Sequence, residues 1–217
     1  MSWSLNEIEG LARKAARGSG LSWGLAEEAG KATRWLCAAG LPGADALAGL
    51  LTRNDGADYA TLCPAQATGD HWQATDGPLC PLIAGAVLCD RASLMVDGQA
   101  ITLTDVSHPM LLIPFVAFAA DATGTTLGLS WPGVTISRGP EGTHMLADPA
   151  ALSIAQVQSV QIAPAPEPSG VRVQRSYRGD IAPEIAKVLQ GFAHRTFAPD
   201  TEASRLAGAG AGLSDND

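Results

Sequence analysis

Positive charge is scarce in this chain. Its 217 residues carry 14 Lys and Arg against 22 Asp and Glu, for a formal net charge of −8 and a pI near 4.9. An acidic surface repels phosphate backbones, and no run of Lys or Arg is interleaved with aromatics. Nucleic acid is thereby excluded as the main partner. Anionic membranes are disfavoured by the same electrostatics. Long apolar runs are missing too. The longest, Pro109 to Ala120, is too short to span a bilayer as a helix, and Pro114 interrupts it. The opening MSWSLNEIEG is polar and lacks the apolar core of a signal peptide, so the expected compartment is the cytoplasm.

Compact chemical motifs are equally sparse. Cys37, Cys63, Cys80 and Cys89 lie 26, 17 and 9 positions apart with no CxxC pair, so neither a zinc motif nor a redox motif is indicated and all four read as buried thiols. The histidines show no HxxE, HxxxH or HxH spacing. There is no GxSxG, Walker or kinase signature, and the GAGAG at 208–212 has the wrong spacing for a dinucleotide loop. No cofactor and no compact metal site are implied. Aromatics make up only 5% of residues, and alanine supplies much of the 46% hydrophobic share, which favours close helix packing over a bulky aromatic core.

What is present suggests one α+β domain over 1–217: a helical part at 1–52, a long loop region at 53–78, a β-rich part at 79–177, and a C-terminal helix and tail at 178–217. Ser4 opens a capping box with Glu7, and Leu5, Ile8, Ala12, Ala15 and Ala16 share one helical face, predicting a helix to Arg17. Ser22 caps a second helix reaching Gly40, and PGADALAGLL suggests a short third. The turn-rich 53–78 stretch is long for a compact domain and so reads as functional or disordered. From Leu79 onward, apolar runs of strand length alternate with turns. ASLMVDGQAITLT predicts a hairpin about Asp97-Gly98. MLLIPFVAF, TTLGLSW, GVTISRG, SIAQVQSVQIA and GVRVQRSY predict further strands of a largely antiparallel sheet. A last helix, Pro183 to Thr196, packs back through Ile185, Val188, Leu189 and Phe192, with a further short helix possible in FAPDTEASRLAG.

Candidate site residues cluster near both ends. On the second helix, Trp23, Glu27, Lys31 and Arg34 lie opposite the core stripe, and Glu27 to Lys31 is the favoured order for an i,i+4 ion pair. Glu28 sits at the stripe's edge beside Trp35, where partial burial would raise its pKa and suit acid–base work. Arg17 ends the first helix and could hold an anion, with Trp23 walling a pocket between two glycine-marked helix ends. His71, in GDHW, is the best catalytic histidine because binding residues concentrate in loops. His144 reads as a turn residue, and His108 as the start of a strand.

The stretches SLNEIEGLARKAARGSGLSWGLAEEAGKATRWL and SRLAGAGAGLSDND resemble a family of small, uncharacterised bacterial proteins classed as a domain of unknown function. The resemblance implies no activity or cofactor. It implies only that Arg17, Gly18, Gly20, Trp23, Gly24, Glu27, Glu28, Gly30, Lys31, Ser204, Arg205 and Asp215 lie in the family's characteristic segments.

Two functional expectations follow. The first is a protein that binds, or an enzyme that acts on, a small anionic metabolite, with its site between helix two and the C-terminal segment. Glu28, Lys31 and His71 would be catalytic, and Arg17, Trp23, Ser204, Arg205 and Asp215 would bind ligand. It requires the two ends of the chain to meet. The alternative is a non-catalytic protein that binds another protein, or a second copy, through an apolar patch. A weaker third reading makes Asp215, Asp217 and the terminal carboxylate hard oxygen donors for Mg²⁺ or Ca²⁺.

Overall fold

The structure, a computed structural model, describes residues 2–165 and 168–197. In chain order the elements are β1 (Ser2–Ser4), α1 (Leu5–Gly18), α2 (Trp23–Ala38), α3 (Gly43–Arg53), α4 (Tyr59–Leu62), β2 (His71–Trp72), α5 (Pro81–Asp90), α6 (Ser93–Val96) and β3 (Ile101–Ser107). A 3-10 turn at Pro109–Leu112 leads into α7 (Ile113–Thr123). Then follow β4 (Leu127–Trp131), β5 (Val134–Gly139), β6 (Gly142–Ala147), α8 (Pro149–Leu152), β7 (Gln156–Pro164), β8 (Val171–Arg172), β9 (Arg178–Asp180) and α9 (Pro183–His194).

The N-terminal helices form as their sequence dictates. Ser4 Oγ accepts from the Glu7 amide while the Glu7 carboxylate accepts from the Ser4 amide at 2.8 Å, closing the capping box. Ile8, Ala12, Ala15 and Ala16 are buried on one face, and α1 packs on α2 through these small side chains. α9 lies on α1 and α3. At their closest approach, a Cβ on Gly18 would stand 2.7 Å from the carbonyl carbon of Phe192 and nearer still to its oxygen, so only glycine admits this crossing. β1 pairs antiparallel with β9, and Arg195 grips Asp55 through two hydrogen bonds. The described portions of the two ends of the chain therefore adjoin.

The seven-stranded sheet runs in the order β2-β3-β7-β4-β5-β6-β8, and only its β2–β3 pair is parallel. β3, α7 and β4 form a split crossover: the two strands run the same way, with the later β7 between them and antiparallel to both. α7 covers one face of the sheet, and α5 and α2 pack against α7. The α+β class holds, with helices gathered at one side of a largely antiparallel sheet.

Several local expectations need correction. MLLIPFVAF is not a strand but the 3-10 turn and α7. An apolar run without alternation suits a helix buried all round as well as a strand, and α7 buries Ile113, Phe115, Val116, Ala117, Ala119 and Ala120. Pro114 sits in its first turn, where a missing N–H costs nothing. For the same reasons PLIAGAVLCD is α5, with Pro81 at its start. Asp97-Gly98 is not a hairpin turn. It closes the short helix α6, and β3 pairs with β2 and β7 instead. His144 lies in a strand, β6, rather than in a turn. The long loop carries α4 and β2, and is pinned by Trp72. That side chain is 0% exposed, its indole N–H donates to the Gly69 carbonyl at 2.8 Å, and its truncation would cost about 3–5 kcal/mol. The short helix suggested in FAPDTEASRLAG falls largely outside the described residues.

Candidate functional site

Two concave places stand out, one next to the turn that holds Arg17 and Trp23 and one away from every candidate site residue. The first is the α1–α2 turn. Gly20, at φ 104°, and Ser22, whose Oγ accepts from the Leu25 amide, reverse the chain between the helices. Arg17 closes this turn. Its Nη1 donates to the Leu21 carbonyl at 2.8 Å, and its guanidinium lies 5.1 Å from the centre of the Trp23 ring, which is 65% exposed. A stacked, hydrogen-bonded guanidinium loses little freedom when it binds an anion. Beside the turn is a pocket of about 220 Å³, walled by Leu21, Leu50, Leu51 and Leu62, with Asn54, Ser19 and Tyr59 as polar groups. Cys80 forms its floor. Burial pushes that thiol up to about 11, although its sulfur takes amides at the head of α5. Burial likewise raises the Tyr59 phenol. Both groups are therefore neutral at physiological pH. Arg17 is not itself a lining residue but bonds the carbonyl of Leu21, which is.

The second place is a cleft of about 110 Å³ between α3, the end of β3 and α8. Asp105 (φ 53°) and His108 (φ 43°) adopt left-handed backbone conformations without being glycine. Each such residue costs on the order of 1–3 kcal/mol, and such strain concentrates at functional sites. His108 lines the cleft. Its Nδ1 is 2.9 Å from Ser107 Oγ. Its Nε2 packs over Gly49, where an added Cβ would lie 3.1 and 3.3 Å from two ring carbons and nearer still to Nε2. No hydrogen bond to the His108 Nε2 occurs among the described residues. Burial, reinforced by the positive charge of Arg53, holds the imidazole below the ordinary histidine range and so neutral. Arg53 in turn donates to Gln156 Oε1, and Gln156 Nε2 to the Asp105 carboxylate. This chain braces the second strained residue.

The other predicted residues are dispersed. Lys31 pairs with Glu28 at 2.7 Å rather than with Glu27, and these side chains are 51% and 33% exposed. The expected Glu27–Lys31 pair is thus replaced by an i,i+3 pair. The supposedly solvated face also holds α1, because Arg34 pairs with Glu9 at 2.7 Å. His71 is exposed on the edge strand β2, and no hydrogen bond or ion pair among the described residues joins it to Glu28 or Lys31. Ser204, Arg205, Asp215 and Asp217 lie outside the described residues. Cys37 and Cys80 are buried, Cys63 and Cys89 half-buried, and all four are free. No group of three or more His, Cys, Asp or Glu suited to a metal occurs among the described residues, and no helix among them is long and apolar enough to cross a membrane.

Sequence reasoning missed Asp45, Gly49 and His108. A histidine before proline signals an extended backbone, which is the opposite of what His108 adopts. No curated protein matches the chain. Residues 3–76, about a third of the chain and holding α1 to α4, β2 and all but one of the residues lining the Arg17-side pocket, match the model of a family described as a protein of unknown function, DUF3726, and this stretch is similar to that uncharacterised family.

Proposed function

We propose that the protein binds a small metabolite carrying one anionic group and a compact apolar body, at the α1–α2 turn. The observation that carries this reading is Arg17, braced by Trp23 and the Leu21 carbonyl beside an apolar pocket with few polar groups. Ligand sites have this composition: apolar walls with a small number of orienting polar groups. The anion would take the remaining guanidinium donors, and Asn54 and Tyr59 would orient the rest. The Arg17 site as proposed draws on neither Glu28 and Lys31, farther along α2, nor the C-terminal Ser204, Arg205 and Asp215.

A thermal-shift panel of carboxylates and phosphate esters on the full chain tests the reading. A true ligand at a hundredfold excess over its Kd adds about 2.7 kcal/mol, or roughly 5–10 °C in Tm for a chain of this size. The shift should vanish in Arg17→Ala and fall in Trp23→Ala. A shift that survives Arg17→Ala unchanged would refute it. A second reading, docking of a protein partner, is favoured by Leu146 and Val171, each exposed near the β6–β8 edge of the sheet but on opposite faces of it. Light scattering of Leu146→Lys against the parent chain tests for self-association there.

A further inference from the structure

We infer that the cleft between α3 and the end of β3 is a second binding site, and that it takes a primary amine on a short aliphatic chain, with the ammonium between Asp45 and His108.

Asp45 and Gly49 are one helical turn apart on the same face of α3. His108 lays its Nε2 over Gly49, and Asp45 lines the same cleft. A carboxylate and an imidazole nitrogen therefore face one space about a helical turn apart, with no hydrogen bond between them. Asp45 makes no hydrogen bond or ion pair among the described residues. Arg178, in the adjoining groove, directs Nε and Nη2 to Ser2, and Arg53, whose charge reaches His108, donates to Gln156 rather than to Asp45. An unpaired carboxylate beside a neutral acceptor is complementary to a donor-rich monocation, since an ammonium has three N–H groups and no acceptor. Binding would select the tautomer in which Nδ1–H donates to Ser107 Oγ and an Nε2 lone pair faces the cleft.

The walls decide between possible cations. Met110, Leu152 and Ile154 line the same cleft. They offer nothing to a hydrated dication, and two protein donors are too few for one. They match a short alkyl chain attached to the ammonium. The glycine has the same logic. In a helix interior Gly costs roughly 0.5–1 kcal/mol relative to Ala, and here its bare Cα is what lets the ring lie in the cleft. The chain's net charge of −8 adds a field that favours cations.

The probe is n-butylammonium chloride, with n-butanol and sodium butyrate as controls of the same chain length. Isothermal titration and thermal shift are run on the full chain at neutral pH. The expected result is saturable one-to-one binding of butylammonium and none of either control. Affinity should fall roughly ten- to hundredfold in Asp45→Asn, the loss expected for a charge-assisted hydrogen bond. His108→Ala should lose binding as well, and since Asp45 is exposed, Asp45→Asn gives a readout even if the histidine variant folds poorly. Arg17→Ala should leave amine binding intact, which keeps this site separate from the anion pocket. No saturable response in the parent chain, equal affinity in Asp45→Asn, or equal response to butanol would each overturn the inference.

Discussion

Replacing Gly49 with alanine sets two opposed effects against each other at one position. Helix propensity alone favours the change by about 1 kcal/mol. Against it stands His108. The new methyl would sit 3.1 and 3.3 Å from two ring carbons and inside the van der Waals shell of Nε2. Relief requires the ring to recoil by roughly 1 Å, the difference between such a contact and ordinary carbon–nitrogen packing. Recoil is resisted at three points: the Ser107 contact to Nδ1, the hydrogen bond from the His108 amide to the Ala155 carbonyl at 2.9 Å, and the left-handed backbone with a proline following. Overpacking of this kind costs about 1–3 kcal/mol. The net expectation is a loss of about 0–2 kcal/mol, or up to roughly 8 °C in Tm. The assay is a double-mutant cycle by denaturant unfolding, comparing Gly49→Ala in the parent with the same change in His108→Ala. In the second background the clash is gone, and the alanine should stabilise by about 1 kcal/mol. Equal stabilisation in both backgrounds would mean that His108 does not lie over Gly49, and the geometry of the cleft would be wrong.

Gly18→Ala should be more damaging, because the added Cβ meets the main chain of Phe192 rather than a side chain that can turn aside. We expect about 3 kcal/mol or more of destabilisation and loss of α1–α9 contact, followed by amide exchange of α9. His108 also gives stability a pH dependence of definite sign. Its folded-state pKa lies below the ordinary 6.5, chiefly through burial, so the unfolded chain binds the extra proton first. Stability from this group is fully present above about pH 6.5 and declines as pH falls toward the lower folded value. Urea midpoints between pH 7.5 and 5.5 should therefore drop more steeply in the parent than in His108→Asn, and parallel slopes would count against a buried neutral imidazole.

Legibility from sequence followed the reach of the forces involved. The capping box at Ser4, the Ser22 cap and the period of α9 are local, and helices stand where those signals place them, although the buried stripe of α9 is Ala186, Leu189, Phe192 and Ala193, with Ile185 half-buried and Val188 exposed. Ile113 to Thr123 and Pro81 to Asp90 carry no periodic signal, since they are buried on nearly every side, and only packing decides that they are helical. β1 was invisible because its partner β9 lies some 175 positions away in the chain. Of the two concave places, the Arg17 turn could be anticipated because its glycines, arginine and tryptophan lie within seven consecutive residues. The His108 cleft could not. It depends on a disfavoured φ before proline and on a missing side chain in a helix about sixty residues earlier.

During synthesis β3 and β4 leave the ribosome before the strand that belongs between them. Until Gln156 to Pro164 emerges, each presents an open edge where β7 will pair, and α7 spans a gap in the sheet. A nascent chain at that stage has two sticky edges rather than one closed surface, and unpaired edges are where chains aggregate. The first strand waits longer still, until residues 178–180 arrive. The order of the strands thus makes the last third of the chain the part that closes the molecule. Chains truncated shortly before residue 156 should be held by chaperones or lost to aggregates, however well their N-terminal helices have formed.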